Sequence, residues 1–135
     1  MTIIYADAVM DMFHSGHVQL LKRASNLGDY LIVGLNSDDD AQSYKREPII
    51  SLENRKIVVE SCKYVNKVIA PCPLIITKEF MVEHKIDYVV HAHDENDKTQ
   101  DFVYKIPKEM GKFIRLEYTT GISTSDIIKK IKSII

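Results

Sequence analysis

The sequence holds little that would tie it to a membrane, a nucleic acid or an oxidising compartment. Among its 135 residues there are two cysteines, Cys62 and Cys72, in no C-x-x-C spacing, so neither a disulfide scaffold nor a zinc site is supported. No run approaches the roughly 20 apolar residues of a membrane span, and "MTIIYADAVMD" lacks the basic lead and small-residue cleavage site of a secretory signal. Eighteen basic against nineteen acidic residues leave a formal charge of −1, which gives no electrostatic pull toward nucleic acid or an anionic membrane. No Pro/Gly/Ser-rich linker, internal repeat or low-complexity tract divides the chain. It reads as one domain over residues 1–135, and a reduced, cytoplasmic protein is the simplest expectation.

What is present is an alternation of strands and helices. "TIIYADAV" (2–9) and "YLIVGLN" (30–36) are short, nearly continuous apolar runs suited to strands buried on both faces. Between them Val18, Leu20, Leu21, Ala24 and Leu27 follow a helical period, with Gly28 expected as a left-handed C-terminal residue. Ser51 opens a second helix through "LENRKIVVESCKYV", "KVIA" (67–70) reads as a strand, Thr77 caps a helix through "KEFMVEH", and "DYVVHA" (87–92) and "KFIRLE" (112–117) are further strands. Ser123 and Asp126 form a capping-box-like pair before a final helix whose apolar stripe runs from Ile127 to Ile135. The alternation predicts an α/β fold, a parallel sheet covered by helices on both faces. Ligands of such sheets gather at the carboxyl ends of the strands, where "HSGH", "HAHDE" and "TTGIST" all fall.

"HSGH" places His14 and His17 at a helix start, where unpaired amides and the positive end of the helix dipole attract phosphate. Gly16 lets the backbone approach a ligand closely. Imidazole donors aimed at a phosphorus centre would stabilise charge developing during displacement. Two bland readings compete: the pair caps the helix or binds nothing, or it ligates zinc, against which the i, i+4 spacing with an intervening glutamate is absent.

"YADAVMDMFHSGHVQLLKRASNLGDYLIVGLNSD", "SLENRKIVVESCKYVNKVIAPCP", "IITKEFMVEHKIDYVVHAHD" and "GISTSDII" together resemble the cytidylyltransferases of the H-x-G-H nucleotidyltransferase superfamily over essentially the whole chain. The resemblance implies a Rossmann-like domain, a homodimer, and transfer of CMP from CTP to a phosphorylated alcohol with Mg²⁺ carried by the phosphates rather than by protein ligands. It implies catalytic roles for His14, His17 and Lys45, the last on a mobile loop. It further implies nucleotide contacts from Ala8, Val9, Met10, Asp11 and Gly16 in the first loop. Arg55, Lys63 and His91 follow, and then Thr119, Gly121, Ile122, Ser123 and Thr124. Asp11 is expected to orient the first loop. An adenylyltransferase of the same superfamily and a non-catalytic nucleotide-binding domain are the rival readings.

Several positions depart from the family pattern. Lys63 and Asn66 stand for an arginine and an aspartate, while "YTTGIST" puts Tyr118 and Thr120 where the family has arginine and glutamate; Arg115 or Arg46 is the candidate replacement cation. A quaternary ammonium is held by aromatic faces and carboxylates. Here Leu74 replaces a tryptophan, "AHD" stands for "HDD", and Asp97 replaces a tyrosine, with Tyr104 the remaining aromatic candidate. His91 and His93 are read as pointing to opposite faces of their strand, so that one of them lines the pocket. His93, beside Asp94, is assigned to the acceptor, and the pattern leans away from choline.

Overall fold

The structure, a computed structural model, describes residues 1–118 and 121–135. The chain runs β1 (Ile3–Ala8), α1 (Ser15–Ser25), β2 (Tyr30–Leu35), α2 (Asp38–Tyr44), α3 (Leu52–Glu60), β3 (Lys67–Ile69), α4 (Lys78–Glu83), β4 (Tyr88–Ala92), α5 (Asp101–Glu109), β5 (Phe113–Leu116) and α6 (Thr124–Ile134). All four strand pairings are parallel, in the order β3-β2-β1-β4-β5. The order reverses between β1 and β4, so the loops after these two strands splay apart and leave a crevice at their carboxyl ends.

The pleat distributes the core onto the two faces. Ile3, Tyr5, Ile32 and Val89 pack with Met81 and Tyr104 on one side; Ile4, Ala6, Leu31 and Val33 pack with Leu21 and Ala24 on the other. Burial on both faces accounts for the near-continuous apolar runs of β1 and β2.

Gly28 is needed for a different reason from the one expected. Its φ is ordinary, and α1 ends at Asn26 in the right-handed region. A Cβ at Gly28 would lie 2.7 Å from Ile4 Cγ1 and 2.8 Å from the Thr2 carbonyl, so it is close approach to β1 that requires glycine. The helix opened by Ser51 stops at Glu60, short of the expected residue 65. Two helices were not anticipated. α2 follows Ser37, whose hydroxyl accepts from the Asp40 amide, and carries three aspartates in its first turn. α5 contains Pro107, which cannot donate to Val103; that carbonyl is instead taken by the Ile76 amide at 3.1 Å, so the proline costs the helix no unpaired acceptor. Both cysteines are free thiols. No helix among the described residues is long and apolar enough to cross a membrane.

Candidate active site

A cleft of about 720 Å³ opens where the loops after β1 and β4 meet the start of α6. The first βα loop forms its floor. Met10 and Met12 flank Asp11 with φ of 57° and 49°, a left-handed conformation uncommon for non-glycine residues and costing about 1–3 kcal/mol each. Neighbouring side chains hold this turn in place. Arg55, only 1% exposed, donates to the Val9 carbonyl at 2.7 Å, and the Thr124 hydroxyl donates to the Asp11 carbonyl at 3.0 Å.

The histidines are fixed by the helix they begin. His14 is the N-cap of α1: its Nδ1 accepts from the Gly16 amide at 3.0 Å, and His17 Nδ1 accepts from the His14 amide at 3.2 Å. The rings stack with centroids 3.8 Å apart. Since both Nδ1 atoms act as acceptors, the neutral rings carry their protons on Nε2. Burial holds His17 down at about 4, aided by His14 and Lys45, and burial also lowers His14, so both are neutral donors near pH 7. A Cβ on Gly16 would fall 2.8 Å from His14 Cε1 and 3.3 Å from the Ile122 carbonyl. Capping and facing the cleft are therefore compatible, and the two rings do both. His14 Nε2 lies 3.4 Å from the Thr124 hydroxyl, while Ser123 caps α6 by accepting from the Asp126 amide, so the starts of α1 and α6 face the same space.

Lys45 lines the cleft as the C-cap of α2, its amide donating to Ala41; burial and Arg46 lower its pKa, opposed by Asp7. The segment that follows it is tied to the first loop. Asp11, 4% exposed, accepts the Ile49 and Ile50 amides at 2.8 and 2.9 Å, and Arg55 donates to the Ile50 carbonyl at 3.0 Å. Asp11 thus orients the segment carrying Lys45 as well as the first loop.

The far wall is polar. Asp7 is buried and accepts from the Tyr104 hydroxyl at 2.7 Å; burial pushes its carboxyl up to about 6 against the effect of that bond. His91 Nδ1 lies 3.8 Å away, and burial together with His93 holds His91 down at about 4. His91 and His93 both line the cleft, with ring centroids 5.4 Å apart. The expectation that they diverge fails because strand side chains repeat every two residues, which gives positions 91 and 93 the same face.

Ala8, Val9 and Met10 also line the cleft, as do Ile122, Ser123 and Tyr118. Other expected contacts lie elsewhere. Arg55 meets no open space: besides Val9 and Ile50 it pairs with Asp38 at 2.6 Å, and it works as a support beneath the floor. Lys63 is exposed, its ammonium 5.3 Å from the Tyr64 ring, and Asn66 serves the sheet by accepting the Leu31 amide. Asp94 and Gly121 are not among the cleft-lining residues. Thr119 and Thr120 lie outside the described residues. Of the two candidate cations, Arg46 lines the cleft, whereas Arg115 donates to the His93 carbonyl and to Glu117 beside a smaller neighbouring groove. Leu74 packs into the core. The reading of the sequence missed Asp7. The carboxylate at the end of β1 was a legible signal, since it stands where open sheets bind ligands.

The chain resembles known proteins over nearly its whole length. Residues 5–130 match the family model described as Cytidylyltransferase-like. The chain is 43% identical over 133 residues to choline-phosphate cytidylyltransferase A of Rattus norvegicus, covering 95% of this chain and 36% of that protein. It is 37% identical over 134 residues to ethanolamine-phosphate cytidylyltransferase of Dictyostelium discoideum, covering 96% and 37%. The chain therefore spans about a third of the length of the curated relatives it matches. Among solved structures, the lipopolysaccharide core biosynthesis protein from Thermoplasma volcanium GSS1 aligns with TM-score 0.72 at 25% identity, covering 88% of this chain and 98% of that one. A pantothenate synthetase from Thermus thermophilus aligns with TM-score 0.60 at 12% identity over 94% and 61%, a likeness of fold alone.

Proposed function

Because this chain belongs to the cytidylyltransferase-like family, we propose that it transfers CMP from CTP to a small phosphorylated alcohol or amino-alcohol, releasing pyrophosphate. An oxygen of the acceptor's phosphate attacks the α-phosphorus of CTP, a new P–O bond forms, and the bond to the β-phosphate breaks with its electron pair leaving on pyrophosphate. No group on the protein needs to become covalently attached. The protein's part is to position the reactants and to stabilise the negative charge that grows on the phosphoryl oxygens.

The observation that carries this reading is the histidine pair. Each Nδ1 is occupied by a backbone amide, which leaves two neutral Nε2–H donors at the head of a helix, opposite the start of a second helix. Lys45 adds a charge that reaches phosphate as a point cation. Magnesium is proposed to arrive with the nucleotide. Of the four carboxylates lining the cleft, Asp11 is committed to two amides, Asp7 accepts from Tyr104, Asp97 accepts from Thr99 and Asp101 pairs with Lys108, so the ion's ligands would be phosphate oxygens, whose charge it would offset.

For the acceptor we favour a hydroxyl or primary ammonium over a quaternary ammonium. The Tyr104 ring already packs against His91 and Phe113 at 4.8 and 5.0 Å, so it offers little free aromatic surface. Asp7, His91 and His93 instead present hydrogen-bonding groups. Association of two copies is also proposed, supported by the exposed Ile57 and Val58 on α3; sedimentation of a monomer at micromolar concentration would exclude it.

The test is pyrophosphate release from CTP or ATP with Mg²⁺ and phosphoethanolamine, glycerol 3-phosphate or phosphocholine. CTP-dependent release is expected, poorest with phosphocholine. ATP preference would make the protein an adenylyltransferase, and no release with any pair would make it a binding domain. In His17→Ala, kcat should fall about 100-fold or more with KM for CTP little changed, as for loss of a donor used in the transition state.

A further inference from the structure

The charge inventory of the cleft points to a residue that the histidine motif does not include. Four histidines line the space, and burial depresses the pKa of each, so none supplies a fixed charge at neutral pH. The acidic lining residues are Asp7, Asp11, Asp97 and Asp101. Among the described lining residues the permanent cations are Lys45 and Arg46, adjacent in sequence at the end of α2. A polyanionic substrate entering this space meets positive charge chiefly there.

Arg46 is unusual in how it is held. Its Nε and Nη2 are shielded from solvent yet have no hydrogen-bond partner among the described residues. Asp11 forms an ion pair with Nη2 at 3.6 Å, longer than a hydrogen bond, and its oxygens already accept the Ile49 and Ile50 amides. Meanwhile the side chain remains 39% exposed. A guanidinium that has given up water on one edge without gaining acceptors is poised for an incoming anion, and its fork of donors matches phosphoryl oxygens.

We propose that Arg46 binds phosphoryl oxygens of a substrate in the cleft, working beside Lys45 as the second fixed cation of the site. The proposal rests on the reading of this cleft as a nucleotidyl-transfer site. The phosphoryl group can belong to the nucleotide or to the phosphorylated acceptor, and the two sources are separable by titration.

Calorimetric titrations of the wild type, Arg46→Ala and Arg46→Lys with pyrophosphate, CTP and phosphoethanolamine provide the test, with circular dichroism as a check on folding. Arg46→Ala should weaken binding of the nucleotide-side ligands, of phosphoethanolamine, or of both by about tenfold or more. Arg46→Lys should recover only part of the loss, because a point charge lacks the guanidinium fork. Loss confined to pyrophosphate and CTP assigns the contact to the nucleotide, and loss confined to phosphoethanolamine assigns it to the acceptor. Affinities of Arg46→Ala within about twofold of wild type for all three ligands would overturn the proposal while leaving the functional reading intact. A wild type that binds none of them would bring down that reading and the proposal together.

Discussion

Asp11→Asn tests how the floor of the cleft is held. The carboxylate accepts two consecutive amides, Ile49 and Ile50, at 2.8 and 2.9 Å. Hydrogen bonds to a charged group are worth about 1.5–3 kcal/mol each. Asparagine keeps one acceptor oxygen and turns an NH₂ donor toward the other amide, so the local cost should be about 2–3 kcal/mol. Hydrogen exchange reads this directly. The Ile49 amide donates to the Asp11 carboxylate, so its protection reports that bond. Exchange at both amides should accelerate by about 30–150-fold, the same free energy expressed as a ratio. Turnover provides the second readout. If Asp11 acts by holding the segment that carries Lys45, Asp11→Asn should cost far less in a Lys45→Ala background than in the wild type. Unchanged exchange in Asp11→Asn, or losses that simply multiply in the double variant, would refute the reasoning.

Acidification should destabilise the protein. His17 and His91, held at about 4 in the folded state against an ordinary 6.5, are protonated first in the unfolded chain as pH falls from about 6.5 toward 4, whereas Asp7, raised to about 6 from 3.8, acts in the opposite direction over the same interval. Two protons against one leave stability falling with pH by about 1.4 kcal/mol per unit near pH 5, before the smaller contributions of His14 and His93 with the same sign. Asp7→Asn should steepen the fall; urea denaturation between pH 4.5 and 6.5 measures both, and a flat profile would contradict the assignments. Gly34→Ala would drive a methyl into the Tyr5 hydroxyl and to 2.9 Å from Cys72 Cβ, so a loss of about 1–3 kcal/mol is expected in chemical denaturation. A loss below about 0.5 kcal/mol would show that Tyr5 moves freely.

Much of this architecture is legible in the sequence because local signals and burial agree. The runs at 2–9 and 30–36 are apolar on both faces, and they became central strands. Ser51, Thr77 and Ser123 are each followed by a helix whose amide their hydroxyl accepts. Where the reading failed, the signal was tertiary. Pro107 argues against a helix until Ile76 is seen to satisfy Val103. The resemblance leads one to expect Arg55 at the nucleotide, yet only the folded chain shows its donors spent on Val9, Ile50 and Asp38. The fastening of the Lys45 segment depends on Asp11 reaching across 38 and 39 residues, which no local pattern encodes. His91 and His93 were a different kind of miss, since the two-residue repeat of a strand already puts both on one face.

The pairing of each histidine Nδ1 with an amide also sets the manner in which the site can fail. A proton added at either Nδ1 replaces an acceptor with a donor pointed at an N–H, so the ring must turn away and the first turn of α1 loses its closure. Integrity of the helix head and readiness of the reactive groups are thus one property. Acid should extinguish both in a single event, without passing through a protein whose chemistry is dead but whose opening turn is sound.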